Sequence, residues 1–181
     1  MNKSKIRSKI LKLRKKKFHK NFKINLDKFI SFLKNHTHNA SKIGGYYPSN
    51  YEIDDLEILD FLDKQNYEIS LPVIKKGNQM NFYKWSIKEP LKINKFGIPE
   101  PVASKILYPD ILLIPLVGYD KNLNRLGYGG GFYDRYIAKI DNTKKVIKIG
   151  LAFSFQKIKS IPINHYDKKL DFIITEKKIV K

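Results

Sequence analysis

Cysteine is absent from the 181 residues. That excludes disulfides, thiolate metal sites and cysteine nucleophiles, and a reducing cytoplasm is the expected location. Long apolar runs are missing too. The longest, Ile111–Val117, is far too short to cross a bilayer, and no membrane partner is expected. The first 20 residues carry charge throughout, so no export signal is expected either. Glycine and proline are sparse, at 10 and 8 positions, while 42% of residues are hydrophobic, which is too apolar for a disordered chain. This length can bury a substantial core and predicts one domain over residues 1–181.

Arginine is nearly absent as well. There are 4 Arg against 32 Lys, and the 25 Ile and 14 Asn point to a compositional drift that replaces Arg wherever function allows. Acids are missing from the N-terminal segment. Residues 1–42 hold 14 Lys or Arg and the single acid Asp27, a charge of +13; the other 139 residues hold 22 bases and 16 acids, a charge of +6. A basic stripe on an N-terminal helix suits nucleic acid, an anionic membrane or a polyphosphate ligand.

Periodicity predicts a helix over 3–20, with Ile6, Ile10 and Leu13 at helical spacing, and a second from a cap at Asp27 to about Asn35. A short strand over 43–47 ends at Pro48. Ser49 or Asn50 is expected to cap a third helix with Glu52, Asp54 and Asp55 in its first turn. Strands are predicted over 68–74 and 80–85 around a turn at Gly77, an irregular stretch over 92–105, and a strand buried on both faces over 111–117. A helix over 132–140 and strands over 146–153 and 172–175 follow. The alternation predicts an α/β three-layer sandwich with a largely parallel central sheet flanked by helices.

The most informative stretch, Leu116–Tyr136, reads LVGYDKNLNRLGYGGGFYDRY. A buried strand feeds a loop holding Gly127, Gly129, Gly130 and Gly131, and a helix follows. Bare backbone amides and a helix N-terminus can surround a phosphate, with Arg125 and Arg135 as flanking charges. The P-loop spacing fails because no Gly-Lys-Ser/Thr follows, and the dinucleotide GxGxxG fails at Phe132. A plain glycine turn between strand and helix is the other reading. Asp134 is either an acid favoured by the helix dipole or a Mg²⁺ ligand beside phosphate oxygens. The four arginines, Arg7, Arg14, Arg125 and Arg135, fall only on the basic helix and around the glycine loop, where a planar fork resists replacement by Lys.

RLGYGGGFYDR at 125–135 resembles the signature of the 5-formyltetrahydrofolate cyclo-ligase (5,10-methenyltetrahydrofolate synthetase) family, with Phe132 where Tyr is common. Lys3, Arg7 and Arg14, the stretch YYPSNYEID, the segment FGIPEP and the C-terminal KIGLAFSFQ, Asp167 and DFIITE agree in order. The resemblance implies use of Mg-ATP to convert 5-formyltetrahydrofolate to 5,10-methenyltetrahydrofolate, with release of ADP and phosphate. It also implies the roles of residues. Lys3 and Arg7 would contact ATP phosphates. Arg125, Leu126, Gly127, Tyr128, Gly129, Gly130, Gly131, Phe132 and Tyr133 would form the nucleotide loop, with Tyr128–Phe132 also lining the folate side. Tyr47 and Glu52 would touch folate; Asp134 and Asp167 would hold Mg²⁺; Arg125, Tyr133 and Asp134 would carry catalysis. Phe132 lacks the hydroxyl of the family's Tyr.

Trp85 and Phe96 read as core packing rather than stacking walls, His36 and His38 as a solvated helix end rather than a metal pair, and His165 as a surface residue. A basic nucleic-acid-binding module is the alternative function, and a peripheral membrane protein a third. The former leaves the glycine loop and Asp134 unexplained, so no specific nucleic acid is expected, and a monomer is.

Overall fold

A computed structural model describes residues 2–19, 22–37, 39–102 and 104–181. Four helices, α1 (Lys3–Lys17), α2 (Leu26–His36), α3 (Leu56–Lys64) and α4 (Phe132–Ile140), surround a sheet built from β1 (Lys42–Gly44), β2 (Glu68–Ile74), β3 (Met80–Lys84), β6 (Ile111–Pro115), β9 (Ile147–Leu151), β10 (Phe172–Ile174) and β11 (Ile179–Val180). Two small hairpins stand apart: β4 (Leu91–Ile93) with β5 (Pro99–Pro101), and β7 (Gly118–Tyr119) with β8 (Arg125–Leu126). The strand order is β11-β10-β9-β6-β1-β2-β3. The five inner strands run parallel, and β3 and β11 close the edges antiparallel.

Side-chain alternation along β6 makes the three layers. Ile111 and Leu113 enter one core with Phe29, Phe32 and Leu33 of α2 and Ile58, Leu59 and Leu62 of α3. Leu112 and Ile114 enter the other with Tyr136, Ile137 and Ile140 of α4. A strand covered on both faces has no polar side, which is why Ile111–Ile114 reads as an unbroken apolar run. Helix α1 uses a third, smaller cluster, seating Ile6 and Ile10 against Val117, Leu126 and Ile161 beyond the sheet's end. This cluster sets the basic helix against the glycine loop.

Several local expectations are corrected. Helix α1 stops at Lys17; Lys20 lies outside the described residues. Helix α2 is capped by Asn25, whose side chain accepts from the Lys28 N–H, and Asp27 sits in its first turn. Helix α3 starts at Leu56, not near Ser49. Asn50 and Tyr51 have φ of 48° and 61°, which no right-handed helix accommodates, and Glu52 folds back onto Ser49 instead of solvating a helix end. The Pro-containing stretch over 92–105 holds the β4–β5 hairpin, a site where proline is tolerated because no second neighbour needs its amide. Trp85 is buried with its indole N–H donating to the Glu89 carbonyl, whereas Phe96 is 51% exposed and is not core. His36 stacks on Phe32; His38 lies outside the described residues. His165 is exposed against Tyr166.

Candidate active site

Strands β1 and β6 are neighbours, but their crossovers leave in opposite directions, to β2 on one side and β9 on the other. Ligands of open α/β sheets bind beyond the carboxyl ends of strands at such a switch point. Two segments meet there: 45–55 after β1, and 116–131 after β6.

The second carries the glycine loop. Gly129 has φ +108° and Gly131, the N-cap of α4, has φ +65°. Both values lie where side-chain-bearing residues are strained, and a Cβ on Gly129 would touch the Arg7 guanidinium at 3.4 Å, an ordinary contact. No backbone N–H of 127–131 donates to a protein acceptor among the described residues, and no side chain caps α4. The loop's carbonyls, by contrast, are gripped. Arg7 Nε donates to the Gly127 oxygen at 2.8 Å, and Arg135 Nη2 to the Gly130 oxygen at 2.7 Å and the Asn78 oxygen at 2.9 Å. Bracing by carbonyls leaves the amides without an acceptor among the described residues, as an anion site requires. Arg135 lies over the Phe132 ring, and Phe96 meets that ring edge-on at 6.1 Å.

Beside the loop lie two ion pairs. Arg125, its side chain 5% exposed, donates Nη2 to Asp134 Oδ1 at 2.7 Å, and the same oxygen accepts the Lys168 N–H at 3.0 Å. Lys3 Nζ meets Asp167 Oδ2 at 2.5 Å, where the Asn164 N–H also donates. Lys168 follows Asp167 directly, so Asp134 is bonded to the backbone next to Asp167. Their bonds fall on one oxygen each, leaving Asp134 Oδ2 and Asp167 Oδ1 outside them. Helix α1 has no acid in its first turn, an arrangement its dipole disfavours; Lys3 is offset by pairing with Asp167. Tyr133 lies beneath Arg125, whose guanidinium sits 5.6 Å from the ring centre; its hydroxyl is sealed without a partner, and burial pushes its pKa well up.

The first segment supplies the other wall. Glu52 is 7% exposed and accepts from Ser49 N–H at 2.8 Å through Oε2 and from the Tyr128 hydroxyl at 2.7 Å through Oε1. Burial raises its pKa; the Tyr128 and Ser49 bonds and the Arg14 charge pull it back. Tyr47 is half-buried just past β1. Tyr46 donates its hydroxyl to the Ile53 carbonyl, and its N–H to Asp55, a fully buried carboxylate whose pKa burial raises strongly. A cavity of about 410 Å³ between α2 and the β10–β11 hairpin shares no residue with this site.

Most residues named from sequence lie in two groups, Glu52 with Tyr128, and Arg125–Asp134 with Lys3–Asp167, joined by the glycine loop, while Tyr47 makes no bond to either group among the described residues. Arg14, Ser49 and the Lys168 amide were not among the expected site residues. Only Arg14 left a signal, as one of four arginines in a lysine-rich chain.

A switch-point loop of free amides, ringed by guanidinium and ammonium groups and facing a buried carboxylate, defines an α/β enzyme that handles polyphosphate beside a second, polar substrate. Comparison with known proteins makes this specific. Residues 1–176 match the model of the 5-formyltetrahydrofolate cyclo-ligase family. The chain is 37% identical over 135 residues to 5-formyltetrahydrofolate cyclo-ligase of Haemophilus influenzae, covering 71% of this chain and 72% of that one. Its structure is similar to the 5,10-methenyltetrahydrofolate synthetases of Aquifex aeolicus, with TM-score 0.80, 30% identity and coverage of 100% and 93%, and of Mycoplasma pneumoniae, with 0.73, 27%, 97% and 99%. The chain belongs to the 5-formyltetrahydrofolate cyclo-ligase family, a family of ATP-dependent ligases.

Proposed function

We propose that the chain performs the family's conversion of 5-formyltetrahydrofolate to 5,10-methenyltetrahydrofolate through the site just described. The formyl oxygen takes the γ-phosphoryl group of ATP, and ADP leaves. N10 of the folate then attacks the activated carbon, and phosphate departs as the ring closes. No protein nucleophile is needed; the task is alignment, charge neutralisation and exclusion of water.

The reading is carried by the free amides of 127–131 beneath a cluster of cations. These amides, with Lys3, Arg7 and Arg125, bind the triphosphate. Leu126 and Tyr133 pack the loop, and Arg125 with Tyr133 and Asp134 lines the transfer region. Tyr47, Glu52 and the Tyr128–Phe132 backbone and rings face folate, a carboxylate suiting the donor edge of a pterin. Mg²⁺ fits Asp134 and Asp167: Asp134 is bonded to the backbone next to Asp167, and each keeps an oxygen outside the ion pairs; such an ion takes one or two carboxylates plus phosphate oxygens and waters. When bound it supplies charge neutralisation at the phosphates. We further propose that residues 1–181 act as a single-domain monomer in the cytoplasm. In keeping with that, no helix among the described residues is long and apolar enough to cross a membrane. No specific nucleic acid is proposed as a partner, because that reading gives the glycine loop and Asp134 no use.

Purified chain given Mg-ATP and 5-formyltetrahydrofolate is expected to form the methenyl chromophore. Folded protein that forms none would overturn the reading.

A further inference from the structure

Arg14 is the odd member of the basic helix. It lies on the same stripe as Lys3 and Arg7, yet it is 1% exposed, among the largest fully buried side chains. A buried guanidinium is ordinarily paired with a carboxylate. Among the described residues, Arg14 has none in contact. Its Nη1 donates to the Leu116 carbonyl at 3.2 Å, just past the carboxyl end of β6, and Nε has no partner among the described residues. Its Nη2 donates to the Tyr128 hydroxyl, and that hydroxyl donates in turn to Glu52 Oε1. The guanidinium also lies 5.5 Å from the Tyr128 ring centre. The buried cation and the buried anion are thus joined through one phenol.

We propose that Arg14 is a positioning residue that acts through Tyr128, holding Glu52 ionised and aimed for the donor edge of folate. The inference rests on the folate contact assigned to Glu52. A phenol that accepts from a guanidinium becomes a stronger donor, and both effects favour the carboxylate form of Glu52. The groups around Glu52 pull both ways. Ser49 and Arg14 stabilise its charge; Asp55 opposes it, and the hydroxyls of Tyr46 and Tyr133 lie close enough for their titration to sense it. With desolvation against ionisation as well, the relay is the main source of compensation from outside the 49–55 turn. Tyr128 thereby has a role at its hydroxyl distinct from that of the loop glycines beside it.

Equilibrium binding of 5-formyltetrahydrofolate, measured without ATP from about pH 5 to about pH 8, tests this. Tyr128→Phe keeps the ring and removes the bridge. It is expected to weaken folate binding about tenfold and to move the acid-side loss of binding upward by about one pH unit. Arg14→Lys keeps charge but loses the fork, and is expected to shift the profile in the same direction, with ATP affinity within about twofold of the parent. Should Arg14→Lys fail to fold, Tyr128→Phe alone decides. An equal weakening at every pH would mean that the hydroxyl merely touches substrate, and no weakening would mean it is idle; either overturns the relay. Glu52→Gln separates the two layers of the argument. It is expected to weaken binding and remove the acid-side dependence. Parent-like binding in Glu52→Gln would remove the folate role of Glu52, and the relay with it; an effect there without one in Tyr128→Phe would remove the relay alone.

Discussion

The two sides of the glycine loop handle charge differently. On the proposed phosphate side, Arg125 meets Asp134 and Lys3 meets Asp167 directly; the two carboxylates and Lys3 are about a quarter exposed, and Arg125 is buried. On the proposed folate side, Arg14 and Glu52 are both buried and are separated by the Tyr128 hydroxyl. The partly wetted Lys3–Asp167 pair can exchange partners, because water compensates each ion as the other leaves; Arg125, with its side chain 5% exposed, has less of that compensation. That suits groups that must turn toward Mg²⁺ and triphosphate when these arrive. A buried pair has no such compensation, and breaking it leaves a desolvated ion. On the proposed assignment, the Glu52 wall is expected to stay fixed while Lys3 and Asp167 turn toward the phosphates.

The largest effect expected from breaking this contrast is at Asp134. Asp134→Asn removes a carboxylate that faces both Arg125 and the proposed metal, and should lower kcat by about 100-fold or more while raising the Mg²⁺ concentration needed for half-maximal rate. Titrating Mg²⁺ in steady-state assays checks it, and an unchanged Mg²⁺ requirement would remove the metal role. A smaller effect is expected at Gly129. Gly129→Ala forces a Cβ into φ +108° and against Arg7. It should raise KM for ATP about tenfold with a smaller change in kcat, since the amides bind phosphate throughout the reaction. Equal losses in kcat and kcat/KM would place the loop in transition-state stabilisation instead.

What sequence made legible follows how local the cause was. Strand β2 and helix α4 occupy the predicted ranges, because an uninterrupted β-rich run and a glycine-to-helix junction are set by neighbours in the chain. The order of layers followed from alternation. The β7–β8 pair and β11 were missed because strands of two residues show no periodicity. The start of α3 was misplaced because Ser49 and Glu52 have the composition of a helix cap. Their real use, a turn that buries Glu52 beneath Tyr128, depends on residues 76 positions away in the chain. The proposed phosphate site rests on two features that are visible in sequence, glycine spacing and arginine retention. That the arginines would grip carbonyls and leave amides free is tertiary, and no local pattern encodes it.

The account stands on those amides as the seat of the triphosphate. The direct measurement is the backbone ¹⁵N–¹H spectrum of the folded chain titrated with Mg²⁺ and a non-hydrolysable ATP analogue. Saturable shifts concentrated at Gly127–Phe132, with smaller ones along α1 near Lys3 and Arg7, are predicted. Tight nucleotide binding that leaves the 127–131 amides unmoved would contradict it.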